Sequence, residues 1–334
     1  MNPSSVQVLF FQHLKTQIPS HLSMVDEVAE LLGISNDSAY RRIRGEKPMD
    51  LEETYKLCSH FKISMDQLLN LQSDAFLFTG KLNNSEGDIA FEEWLQNVQY
   101  NLQVVNSFEK KHLYYLLKDI PPFVNFLIPE LAAFKCFLWM KSILNDEQLK
   151  GVKFSLTDPR YDRFVAHSKK IIEQYNLVPT TEIWHPESHN ILLSQINFCV
   201  EAGSFLHKAE IKILHEKVEE LINHIEKQAE LGLKFNVGEK PGPGAASYRM
   251  FVNELVLGDN TVFAELGNTR LTFLNHSVLY FVITRDERFN NAVFRNMENL
   301  IKRSTMISTI GEKERIRFFN RLRDNIQVRM AALS

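Results

Sequence analysis

The stretch SMVDEVAELLGISNDSAYRRIRGEKPMDLEETYKLCSHFKISMDQLL, residues 23–69, decides how the first part of the chain folds. Ser23 followed by Asp26 is an S-x-x-D pattern, which satisfies the free amides at a helix start. Val25, Val28, Ala29 and Leu32 then recur at the spacing of one buried helix face. Gly33 ends that helix, because glycine takes the left-handed conformation that a helix end often needs. Only Ile34 separates it from the next cap, Ser35. The segment Asn36 to Arg44 reads as the second helix of a helix-turn-helix, with Asp37 in the first turn, where negative charge suits the helix dipole. Asp37, Tyr40, Arg41 and Arg44 fall on one stripe; Ala39 and Ile43 face the other way. A polar, arginine-bearing outer face over a small apolar inner face suits a helix laid in a DNA major groove. Gly45 and Pro48 stop the helix. Asp50-x-x-Glu53 and Ser64-x-x-Gln67 each open a further apolar run: Leu51, Tyr55, Cys58 and Phe61, then Met65, Leu68 and Leu69.

The order AELLGIS, the arginine-bearing helix closed by Gly45, then DLEETYKL and ISMDQLL resembles the five-helix DNA-binding domain of the lambda repressor/Cro (XRE-like) class. It is most similar to the BetR variant found in bacterial regulators. The likeness covers residues 5–72, with Val6 to Ile18 supplying the first helix. It implies DNA contacts from Ser35, Asn36, Asp37, Ser38, Tyr40, Arg41, Arg42, Arg44 and Lys47. Ser35, Asn36 and Ser38 would meet phosphate at the helix start. Tyr40, Arg41 and Arg44 would meet base edges, and Arg42 and Lys47 the phosphate backbone. One departure stands out. Arg42 occupies a place where the family carries a bulky apolar residue, which hands the inward packing to Ile43 and rotates the helix slightly.

Over residues 1–72 seven lysines and arginines face nine carboxylates, a net charge of −2. Phosphate neutralisation supplies much of DNA affinity, so a single copy is expected to bind modestly and to depend on dimerisation. The positive charges cluster on and just after the candidate recognition helix, and local field counts for more than net charge. The 334-residue chain is 44% hydrophobic and 24% charged with a net charge of −3, which implies two to three soluble globular domains. Cys58, Cys136 and Cys199 are widely spaced among apolar residues and read as reduced thiols in a cytoplasmic protein. MNPSSVQVLFFQHLK has no basic n-region or small-residue cleavage site, which argues against a signal peptide. No run reaches membrane-spanning length.

The predicted fold is mainly α in three parts. A helix-turn-helix domain spans 1–72, followed by a linker over 73–91. A central all-helical dimerisation or sensor domain spans 92–237. A small α+β domain with an antiparallel hairpin or meander spans 248–334. The aromatic density over 114–140 reads as a helical core or as a pocket for a small apolar or flat ligand. The helix expected over 204–231 carries the seam Ile211, Leu214, Val218, Leu221, Ile225, which suits either a core or a short dimer helix. GEKPGPGAAS, 238–247, is the clearest boundary. Beyond it, β-rich runs at 248–257, 261–266 and 270–274 are separated by the turn-formers Gly258-Asp259-Asn260 and Gly267-Asn268. Helices return at 286–303 and 312–329. Nine Arg and two Lys face six acids over 281–334, a basic end that reads first as a solvated helix face.

His185-Pro-Glu-Ser-His189 places two imidazoles four apart, but Pro186 favours a loop and a third metal ligand is not evident. His215-Glu216 lacks the second histidine of H-E-x-x-H, and no nucleophile elbow, phosphate loop or dinucleotide fingerprint occurs. No metal, cofactor or enzyme activity is therefore expected. The expected function is a one-component transcription regulator that binds double-stranded DNA as a homodimer and senses a small-molecule or protein effector, with no membrane association. The alternative is a protein-interaction module that keeps the helix-turn-helix fold without binding DNA.

Overall fold

The computed structural model of the chain describes residues 3–18, 22–65, 75–80, 87–255 and 258–331. They form two compact units, 1–77 and 78–334.

The smaller unit follows the capping signals. Its helices are α1 (Pro3–Gln17), α2 (Met24–Leu32), α3 (Asn36–Ile43) and α4 (Leu51–Phe61). Asp50 and Glu53 close a reciprocal capping box at the start of α4. Phe10, Phe11, Leu14, Val28, Ala29, Ala39, Leu57 and Ile63 make the core. The last helix expected after Ser64, with Gln67, Leu68 and Leu69, lies outside the described residues, as does much of the 73–91 linker.

The larger unit is built on an eight-stranded sheet. In chain order its elements are β1 (Thr79–Gly80), α5 (Gly87–Asn106), β2 (Lys111–Leu117), α6 (Pro129–Ser142), α7 (Asp162–Tyr175), β3 (Thr180–Trp184), α8 (Asn190–Glu201), α9 (Ala209–Leu231), β4 (Tyr248–Val252), β5 (Thr261–Leu266), β6 (Thr269–Asn275), β7 (Phe281–Thr284), α10 (Glu287–Lys302), β8 (Thr305–Met306) and α11 (Glu312–Ala331). The strand order is β1-β7-β6-β5-β2-β3-β4-β8. The β2–β3 and β3–β4 pairs are parallel and the others antiparallel. The chain is thus mainly helical with an antiparallel-rich sheet towards its C-terminal part, and β5–β6–β7 is an antiparallel meander turned at Gly267, whose φ is +59°.

The sheet reaches further back than expected. β2 and β3 lie in the stretch read as all helical, and they stand between β4 and β5. Gly258-Asp259-Asn260 therefore joins strands that are not neighbours instead of turning a hairpin. The Gly/Pro-rich 238–247 segment is a loop within the unit, tied in by the bridge between Leu233 and Ser247 and by Lys234 N–H donating to Ala246 O at 2.9 Å. Parallel strands must find partners far along the chain, and these runs carry no local mark of them.

Helix α6 is buried at every position from Leu131 to Met140. Trp94, Phe126 and Trp139 pack edge to face there, so these rings are core, while Tyr115 and Phe123 of the same aromatic stretch line a cavity. The seam of α9 is core as well: Leu214, Val218, Leu221 and Ile225 are buried, and α9 packs on α11. At the centre of the sheet the buried carboxylate of Glu182 accepts from Tyr175 Oη (2.9 Å), Trp184 Nε1 (2.7 Å) and Tyr248 Oη (2.8 Å). The His185–His189 segment is a turn, pinned by Ser188 Oγ donating to Leu117 O at 2.9 Å.

Candidate nucleic-acid interface

The turn before α3 is set by two residues. Gly33 sits at φ +64° with open space around it, and its N–H and that of Ile34 close on Glu30 O (3.2 Å) and Ala29 O (3.0 Å). Ser35 then caps α3, its hydroxyl accepting from Ser38 N–H at 3.3 Å. Asn36 Nδ2 donates to Asp26 Oδ1 at 2.8 Å, which ties the start of α3 to the first turn of α2. On the inner side Ala39 is fully buried, and α3 packs on both α1 and α2.

The outer stripe is as the spacing predicts. Asp37, Tyr40, Arg41 and Arg44 are exposed. The Arg44 guanidinium lies 5.5 Å from the centre of the Tyr40 ring and 3.4 Å from Glu46 Oε1. Arg41 makes no ion pair with any described residue. Ser35 and Asn36 are exposed, while Ser38 and Lys47 are half-buried.

Arg42 is the correction. It is 5% exposed and points inward, so it does not hold the phosphate backbone. Its Nε and Nη2 donate to the Glu53 carboxylate at 2.9 and 2.5 Å, and Nη1 reaches Ser38 O at 3.2 Å. This is a bidentate pair, the strongest arrangement open to the two side chains. Glu53 raises the pKa of the guanidinium above its ordinary value, chiefly through these hydrogen bonds. Ile43 is half-buried and packs against the core of the smaller unit, beside the buried Arg42. In place of the apolar residue that the resemblance leads one to expect, there is an aliphatic stem buried along the core and a charged head met by Glu53.

Gln7 was missed by the sequence. From α1 its Nε2 donates to Arg42 O and Lys47 O, both at 2.7 Å, and its Oε1 accepts Met49 N–H at 3.0 Å. One amide therefore fixes the chain that leaves α3. Its partners lie 35 to 42 residues away, beyond any local pattern.

The arrangement is a short capped helix with two exposed guanidinium groups and a tyrosine on one stripe, held from behind by Ala39, the Arg42–Glu53 pair and Gln7. Residues 12–86 match the family model described as the BetR domain, a helix-turn-helix DNA-binding family. No curated protein and no solved structure matches the chain. No helix among the described residues is long and apolar enough to cross a membrane.

Proposed function

We propose that this chain, with its BetR-type helix-turn-helix, is a one-component transcription regulator that binds double-stranded DNA as a homodimer through α3, and that the larger unit receives a small-molecule or protein signal. The observation that carries this is the exposed stripe of Tyr40, Arg41 and Arg44 on a helix whose remaining arginine, Arg42, is committed to the core. Arg41 and Arg44 suit the O6 and N7 acceptors of guanine, and Asp37 suits the amino group of cytosine. The amides at the start of α3, with Ser35 and Asn36, suit phosphate, as does Lys47. Two-fold pairing puts two such helices about one turn of duplex apart, which offsets the weak field of one unit. The activity is binding without catalysis, in the cytoplasm.

Selection of bound genomic fragments by the purified chain tests this, and paired motifs related by a two-fold axis are expected. Arg41→Ala should weaken specific binding by ~1–3 kcal/mol and relax base choice at one position. Equal loss on cognate and random duplex would rule out base reading by Arg41.

A second reading, a protein-interaction module without DNA binding, draws on the net charge of −2 over residues 1–72. A steep fall of DNA affinity with salt rejects it, because that slope reports released counterions. A flat response with no selected motif would establish it.

A further inference from the structure

Two adjoining chambers lie between α5 and the sheet. The inner one, about 120 Å3, is walled by Val98 and Leu102 of α5, by Tyr115 of β2, by Phe273 of β6 and by Phe123. The outer one, about 420 Å3, is walled by α5 and by Thr79, Gly80 and Ile283 of β1 and β7. Trp94, Val98, Asn101, Leu279 and Phe281 line both. Trp94 Nε1 donates to Leu279 O at 2.5 Å, which fixes the wall between them.

The chemistry of the walls selects a ligand. No Asp, Glu, Lys or Arg among the described residues lines either chamber, although 24% of the chain is charged. A charged ligand would lose its hydration there without a counterion, at a cost of several kcal/mol or more. The inner chamber is near the ~150 Å3 that accepts a benzene ring, and the two together reach the size of ordinary small-molecule sites. Asn101 is half-buried on the shared wall, and its side chain has no hydrogen-bond partner among the described residues. It can therefore give or accept one bond on a wall that is mainly apolar, with Asn97, Asn260 and Asn275 also on the linings.

We infer that this double chamber is a binding site for a small, uncharged, largely apolar molecule, its ring or short chain in the inner chamber and one polar group at Asn101. The site also has a regulatory position. β1 and α5 are the first two elements after the end of the smaller unit at residue 77, and they form the outer wall. β1 fits tightly on β7: a Cβ added at Gly80 would lie 2.9 Å from Val282 Cγ1 and 3.1 Å from Phe281 O. A ligand that moves α5 against the sheet acts directly on the segment leading from the DNA-binding unit. This regulatory consequence rests on the function proposed above; the binding itself does not.

The test uses the full chain and two fluorescent probes, uncharged N-phenyl-1-naphthylamine and its sulfonated analogue 1-anilinonaphthalene-8-sulfonate. The uncharged probe is expected to bind saturably at one per chain and at least tenfold tighter than the sulfonate. Val98→Trp, which fills the shared wall, should weaken it at least tenfold with a preserved thermal transition. Should Val98→Trp not fold, Asn101→Trp at the half-buried position serves instead. Val328→Trp, on the exposed face of α11, should leave binding unchanged. Absence of saturable binding, equal binding of the sulfonate, or undiminished binding by a folded filled variant would overturn the inference. Repeating the titration with a selected duplex separates the two ideas. Probe binding without DNA binding sinks the regulator and keeps the site; DNA binding without probe binding does the reverse.

Discussion

The two units handle buried charge in opposite ways. In the smaller one, Arg42 meets Glu53 directly, and Glu53 keeps 16% of its side-chain surface in solvent. In the larger one, Glu182 and Lys234 are both buried within the same region, and each is met by neutral groups. Glu182 accepts from two phenols and an indole, and Lys234 Nζ donates to Tyr175 O at 2.7 Å and Val178 O at 3.2 Å. Burial pushes the Lys234 ammonium well below its usual pKa and raises the Tyr175 and Tyr248 phenols well above theirs. The difference follows from depth. At the rim, water still reaches one partner and a single bidentate contact suffices. In the centre of a sheet every lone pair must find a protein donor, because desolvation of a charge exceeds what one contact returns.

The largest effect expected from this contrast is at Glu182. Glu182→Ala orphans three buried donors and leaves Lys234 without its neighbouring charge, a loss of about 3–5 kcal/mol in urea unfolding. A loss no larger than that of an average core substitution would erase the contrast. The next effect is acid sensitivity of the larger unit. Burial lowers His112 and His189 to about 4 each. In the unfolded chain both titrate near 6.5, so between pH 6.5 and 4 the unfolded state holds protons that the folded state refuses. Stability therefore falls as pH falls through that window, by at most ~1.4 kcal/mol per pH unit for each histidine. His189→Gln should flatten the pH dependence of the urea midpoint relative to the parent, and parallel slopes would refute the assignment.

Next is Glu53→Ala, which strands a desolvated guanidinium and should cost about 1.5–3 kcal/mol. Replacing Arg42 and Glu53 together by methionine should recover most of it, because an apolar pair fills the space without a desolvation penalty. Failure of the double replacement to recover would mean that the pair does more than occupy the inward position. The smallest effect is at Lys47. Lys47→Ala should leave stability unchanged and lower the salt slope of DNA binding by about one. An unchanged slope would remove Lys47 from the phosphate-contacting set.

The two units also differed in how far they could be read in advance. The helix boundaries of α2, α3 and α4 were legible because each is written within a few residues by a cap, an apolar period and a stop. So was the outward stripe of α3. The commitment of Arg42 was not, because it depends on Glu53, eleven residues on and on another helix. β2 and β3 were hidden for a related reason. Their register pairs Leu113 with Thr180 and Leu117 with Trp184, and nothing within KHLYYLL or TTEIW names those partners. The seam of α9 was visible as a stripe, but only its packing on α11 shows what covers it. The α5 chambers draw their walls from segments as far apart as Thr79 and Ile283.

By itself the sequence determined the capped helices of residues 23–62, the turn at Gly33 and the guanidinium-bearing face of α3, because those features are stabilised by hydrogen bonds and periodicities a few residues long. The tertiary structure alone decided which arginine stays outside, how the eight strands are ordered and where a cavity remains. Each of those depends on which distant groups arrive to fill space and satisfy charge, and that is settled only when the whole core closes.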